Sequence, residues 1–162
     1  MKRVRRGFTL IELLLVVTII SLLSVAVFVA LNPAQRLRDT KNARRTADID
    51  TILSAIHQSI VDDKGTYPTG LSAGMDEMQV GNGTSGCVIA TGGCAVAGAT
   101  DCVDLMSGAN NLTAYLKAIP VDPDGSPTYT ASASGYSVVV DANGIVTITA
   151  CGAEGTTIYA SR

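Results

Sequence analysis

The chain contains no tryptophan, and its two phenylalanines, Phe8 and Phe28, both lie near the start. Five tyrosines are the remaining aromatics, set among Gly, Ala, Ser and Thr. A core of such small side chains buries little area per residue, so the distal part of the chain needs another source of support. There is one histidine, His57, and no Cys-x-x-Cys pair. That leaves no ligand set for a zinc ribbon and no thioredoxin-type redox motif. Positive charge is also scarce where a nucleic-acid surface would need it. Beyond Gly65 there are two basic residues, Lys117 and Arg162, against eight acids. An acidic outer part is a poor phosphate-binding surface, so nucleic acid is an unfavoured partner.

What is present is concentrated at the start. Lys2, Arg3, Arg5 and Arg6 form a basic leader. Without them the 12 basic residues fall to 8 against 14 acids, a net charge of −6 where the whole chain has −2. Leu13 to Leu31 then runs without charge, interrupted by Thr18, Ser21 and Ser24. A helix from Phe8 to Leu31 would be about 36 Å long, enough to cross a bilayer. The alternative is a secretory signal peptide with a small-x-small site at Ser24-Val25-Ala26, which would make the chain a secreted binding domain. Basic residues flank both ends of the run, so charge asymmetry does not fix its orientation.

Asn32-Pro33 interrupts the pattern. Either Asn32 caps a new helix with Pro33 at its first position, or one helix continues through a kink. Ile49, Ile52, Leu53, Ile56 and Ile60 then recur at i, i+3, i+4, i+7 and i+11, an amphipathic helix ended by Gly65. Arg36, Arg38, Lys41, Arg44 and Arg45 share this helix with Asp39, Asp48 and Asp50. Arg44 and Asp48 are spaced to pair, and the cluster reads as a solvated or inter-subunit face ahead of a lipid- or DNA-binding patch.

Residues 66–111 are Gly-rich and loop-like, and hold Cys87, Cys94 and Cys102. A short helix is expected over Asn111–Ala118, then strands at Thr128–Ala131, Tyr136–Asp141 and Ile145–Ala150. The last two are β-branched runs joined by Ala142-Asn143-Gly144, a strong hairpin signal. The order predicts an α+β domain, with the amphipathic half of a long N-terminal helix packed on a small antiparallel sheet.

The most specific feature is Gly7-Phe8-Thr9-Leu10-Ile11-Glu12 ahead of the apolar run. Basic residues precede the glycine, and one acid falls five positions after it. This resembles the class III signal of type IV pilins and pseudopilins. Asp62-Asp63-Lys64-Gly65-Thr66-Tyr67-Pro68 and Ile119-Pro120-Val121-Asp122-Pro123 agree with it more loosely. The resemblance implies a type IV pilin-like fold divided into a cleaved leader (1–7), a membrane and filament-core helix half (8–31), an amphipathic half (32–65) and a head (66–162). The head comprises a variable loop (66–111) and a short helix plus sheet (112–162). A prepilin peptidase would cut between Gly7 and Phe8, and the new Phe8 amine would be N-methylated. Phe8, Thr9 and Glu12 would act in assembly, Glu12 neutralising the amine of a neighbouring subunit, with Pro33 as a hinge. An assembly ATPase, a platform protein and the inner membrane are the implied partners of a homo-oligomeric filament on the cell surface. The implied role is structural, not enzymatic: a pilus for adhesion, motility or DNA uptake, or alternatively a pseudopilin of a type II secretion system.

Four cysteines beyond a membrane or signal segment read as disulfides in an oxidising compartment. Three pairings are open. Cys87–Cys94 with Cys102–Cys151 is preferred, since the second bond would resemble the C-terminal disulfide of major pilins. Cys87–Cys102 with Cys94–Cys151 is its close rival. No cofactor is implied. Some related pseudopilins bind Ca²⁺ in this region, and Asp122 and Asp124 are weak candidate ligands, but two carboxylates in Asp122-Pro123-Asp124-Gly125 read first as a plain turn. His57 reads as structural. Gly81-x-Gly83-x-x-Gly86 follows no clear strand and opens no helix, so it is not a dinucleotide fingerprint. Asn82-Gly83-Thr84 and Asn111-Leu112-Thr113 are glycosylation sequons by letter only.

Overall fold

The computed structural model describes residues 7–162. The leader residues ahead of Gly7 lie outside this range. The chain forms two compact units, divided between Leu37 and Arg38.

The first unit is dominated by helix α1, Leu10–Leu31. None of its side chains is buried. Its three hydroxyls all bond back to its own backbone: Thr18 to the carbonyl of Leu15, Ser21 to that of Val17 and Ser24 to that of Ile20, at 2.7–2.8 Å. The helix therefore leaves no polar side-chain group in its apolar middle without a partner, as hydrocarbon requires. By length and composition it can cross a membrane. It ends at Asn32, whose backbone is left-handed (φ 39°, ψ 69°). The Asn32 carbonyl then accepts from the N–H groups of Gln35 and Arg36, with Pro33 as the first residue of helix α2, Pro33–Asp62. The break is thus a cap followed by a new start, and proline sits where its missing N–H costs nothing.

In the second unit, α2 lies against a sheet of β1 (Met78–Val80), β2 (Cys102–Val103), β3 (Tyr136–Val140), β4 (Val146–Ala150) and β5 (Tyr159–Ser161). The strand order is β2-β1-β3-β4-β5. β1 and β2 run parallel and the other pairs antiparallel, so the sheet is mixed where a purely antiparallel one was expected. Ile49, Ile52, Leu53 and Ile56 form the core with Val80, Tyr136, Val138, Val140, Val146 and Ile148. Gly65 stops the helix as expected, at φ +91° with its N–H on the carbonyl of Ile60 at 2.7 Å.

Local chemistry explains the other departures. The expected helix over Asn111–Ala118 is a single 3-10 turn, Leu112–Ala114. Asn111 caps it through the Thr113 N–H, and buried Leu112 and Leu116 anchor it. Thr128–Ala131 is no strand but one isolated bridge, Thr130 to Ala133. The β3–β4 hairpin forms, with Val140 opposite Val146. Its turn is set by Asp141, whose carboxylate accepts from the N–H groups of Asn143 and Ile145 at 2.8 Å, while Gly144 alone takes a positive φ. That is a type I turn closed by a left-handed glycine.

The disulfides are Cys87–Cys102 and Cys94–Cys151, each with Cα atoms 5.4 Å apart. This corrects the preferred pairing. Cys102 lies on β2, beside β1, and reaches Cys87 at the far end of the intervening loop. Cys94 comes over the sheet beside Ser137 of β3 and bonds the residue that follows β4.

Candidate functional site

The start of α1 is built around Thr9 and Glu12. Thr9 is the N-cap in extended conformation, and the two residues form a capping box. Glu12 Oε2 accepts from both the Thr9 N–H (2.9 Å) and the Thr9 hydroxyl (2.8 Å). The Glu12 N–H in turn donates to Thr9 Oγ1 at 3.3 Å. Glu12 Oε1 makes no hydrogen bond among the described residues. Gly7 and Phe8 precede the helix without regular structure, and Phe8 is 78% exposed. The acid is therefore not bare in the single chain: the helix N-terminus holds one of its oxygens and leaves the other open. The signature Thr9-x-x-Glu12 stands in the sequence, and the capping role was missed because the same acid carries the family motif.

A second polar constellation joins α2 to the head. Arg45 and Asp122 are both fully buried and pair through two bonds, Nε to Oδ2 at 2.7 Å and Nη2 to Oδ1 at 2.8 Å. Nη2 also reaches Asp124 Oδ2 at 2.9 Å, and Lys41 Nζ meets Asp124 Oδ1 at 2.5 Å. Hydrogen bonding to Lys41, with the charge of Arg45 beside it, holds the Asp124 carboxyl below its usual range. Burial would lower the Arg45 pKa, but Asp122 reverses this and raises it. Gly152 makes room for the pair, since a Cβ there would strike the Asp122 carboxylate and the Arg45 guanidinium. Nearby, the Tyr136 hydroxyl donates to Asp48 at 2.7 Å, and burial first, then that bond, pushes its pKa far above the ordinary value. Arg44 and Asp48 pair as expected, at 3.7 Å.

Asp122 and Asp124 thus face a guanidinium and an ammonium in the place where a Ca²⁺ reading would put a metal. Among the described residues no cluster of three or more His, Cys, Asp or Glu could hold an ion. The turn itself is as expected, with Asp122 Oδ1 accepting from the Asp124 N–H. The basic cluster is largely spent: Arg38, Lys41, Arg44 and Arg45 each meet an acid. His57 is half-buried, and its Nε2 has no hydrogen-bond partner among the described residues. Gly81 and Gly83 press their backbones on the carbonyl of Ser132, where a Cβ would collide, which accounts for the glycine spacing without a nucleotide. The Asn111 side chain of one sequon is occupied in its own turn.

An apolar helix with an acid capped at its first turn, ahead of a disulfide-bonded α+β head, fits a membrane-anchored precursor. Residues 2–28 match the family described as the prokaryotic N-terminal methylation motif. That motif supports a precursor of the type IV pilin or pseudopilin kind, and it implies processing by prepilin peptidase and assembly into filaments in general. No curated protein and no solved structure matches it significantly.

Proposed function

We propose that the mature chain is a structural subunit of a type IV pilus-like filament on the cell surface, serving adhesion, motility or DNA uptake, and not an enzyme. The observation that carries this is the Glu12 carboxylate, with Oε2 on its own helix start and Oε1 open, at the head of a helix that buries none of its side chains within the chain. Cleavage between Gly7 and Phe8 creates an amine, which is then N-methylated. In a staggered bundle the amine of one subunit meets Glu12 Oε1 of the next, and two costs in low dielectric become one ion pair that sets register. Thr9 keeps the carboxylate in place until then. The assembly ATPase and platform protein supply the work, and the inner membrane holds the subunit beforehand. The head's doubly cross-linked loop favours an exposed pilus over a type II secretion pseudopilus.

N-terminal sequencing of mature protein should begin at Phe8; a start at Val27 would make the chain an ordinary secreted domain. Glu12→Ala should leave membrane insertion intact and cut surface fibres at least tenfold (about 1.4 kcal/mol of docking preference), counted by imaging with an antibody to the head. Undiminished fibres in that variant would sink the pairing, and a wild-type chain absent from any surface fibre would favour the secretion piston.

A further inference from the structure

The head-facing stripe of α2 changes material partway along. From Arg38 to Asp48 no apolar side chain is buried, and Arg45 is the one buried residue. Arg38, Lys41, Asn42, Arg45 and Asp48 of this stretch reach the head through polar groups. Arg38 Nε meets Glu154 at 2.9 Å, and Asn42 Nδ2 donates to the Glu154 carbonyl at 3.0 Å. Lys41 and Arg45 hold Asp124 and Asp122, and Asp48 takes the Tyr136 hydroxyl. From Ile49 onward the stripe is Ile49, Ile52, Leu53 and Ile56, all in the hydrophobic core.

The two halves differ in what separation would expose. Lifting the second half uncovers apolar surface, for which water offers nothing in return. Lifting the first half returns ions to water, and their hydration offsets most of the attraction they lose. Ala43 and Ala47, its only apolar side chains, are exposed already. Freed of the head, a stretch this short holds its backbone bonds only marginally in water, so its amides open with it.

We propose that Arg38–Asp48 of α2 is a releasable ionic latch. It leaves the head and loosens in one step, and the head stays folded behind it on the Ile49–Ile56 core and the two disulfides. The latch is a property of the single chain and holds whether or not the chain builds a filament. Load that reaches the head through α2 opens the latch before it disturbs the core, freeing a stretch about 16 Å long in its helical form.

Hydrogen–deuterium exchange of the full-length chain in detergent micelles tests this. Amides 42–48 should exchange through one common opening, at least tenfold faster than amides 53–60. Lys41→Gln should speed 42–48 severalfold and leave 53–60 unchanged. The pair Arg45→Met with Asp122→Leu, which replaces ions by apolar groups, should slow 42–48 towards 53–60. Protection that rises turn by turn from Pro33 would mean simple end fraying and overturn the latch. A single rate across 42–60 would overturn it as well, since the helix would then open as one body.

Discussion

The sheet of the head meets a helix on one face and a loop on the other, and the two contacts are built differently. On the helix face, Ile49, Ile52, Leu53 and Ile56 meet Val80, Tyr136, Val138 and Ile148 in a continuous apolar core. On the other face, the buried strand residues of opposite parity are polar: Gln79, Ser137 and Thr149. The loop over them is fastened by specific bonds. Glu77 accepts from the Ala95 N–H and the Ser137 hydroxyl, Thr91 donates to the Cys151 carbonyl, and Cys94 is bonded to Cys151. The helix face is held by the hydrophobic effect, which needs area and not exact residues. The loop face has little apolar area to offer and depends on covalent closure. A chain poor in large side chains can therefore cover both faces, provided it meets an oxidant.

That contrast can be broken from either side. Ile52 is fully buried, so Ile52→Ala should cost about 2–5 kcal/mol. Denaturant unfolding of the full chain in micelles with disulfides intact should show one lowered midpoint; an unchanged midpoint would move the core elsewhere. Replacing Cys94 and Cys151 together by Ser removes the link across 57 residues and should cost between about 3 and 4.7 kcal/mol in the chain-entropy account. Its signature is local: amides 87–101 should lose protection, while those of α2 from Ile52 to Ile60 keep theirs in native buffer. Equal loss on both faces would show that the loop supports the core and is not merely fastened to it.

Acid should have the smallest effect, and at the rim of the helix face it acts through Asp124. The Asp124 carboxyl is held below its ordinary value, so its contribution is fully present above the unfolded pKa near 4. It disappears as pH falls through the lower folded value. Thermal melts should therefore decline below about pH 4, and Asp124→Asn should flatten that limb. A decline of equal size in the variant would assign it to other carboxylates.

The sequence carried the helix face well and the loop face poorly, for physical reasons. Ile49 to Ile60 repeat with the helical period, and the β-branched runs around Asn143-Gly144 announce their own pairing. β1, β2 and β5 are two or three residues long, and nothing local distinguishes Met78–Val80 from loop. Their pairing is decided by partners distant in sequence. The same holds for Arg45 and Asp122, which lie 77 positions apart and read as a surface cation and a turn acid until folding brings them together. At the N-terminus the case is reversed. Gly7-Phe8 and Glu12 were legible as part of the methylation motif matched over residues 2–28, while the local contact of Glu12 with Thr9 stood one capping rule away.

The two cross-links are interleaved: Cys94 lies inside the loop closed by Cys87 and Cys102, and its partner comes 57 residues later. A chain made from its N-terminus presents Cys87 and Cys94 first, so the earliest pair available to an oxidant is a wrong one. Where that bond forms, correct maturation requires the Cys102 thiolate to attack it at Cys87, releasing Cys94 to wait for Cys151. The order of emergence and the order of bonding are opposed in this head, and its yield should depend on how readily the compartment reshuffles disulfides as well as on how strongly it oxidises them.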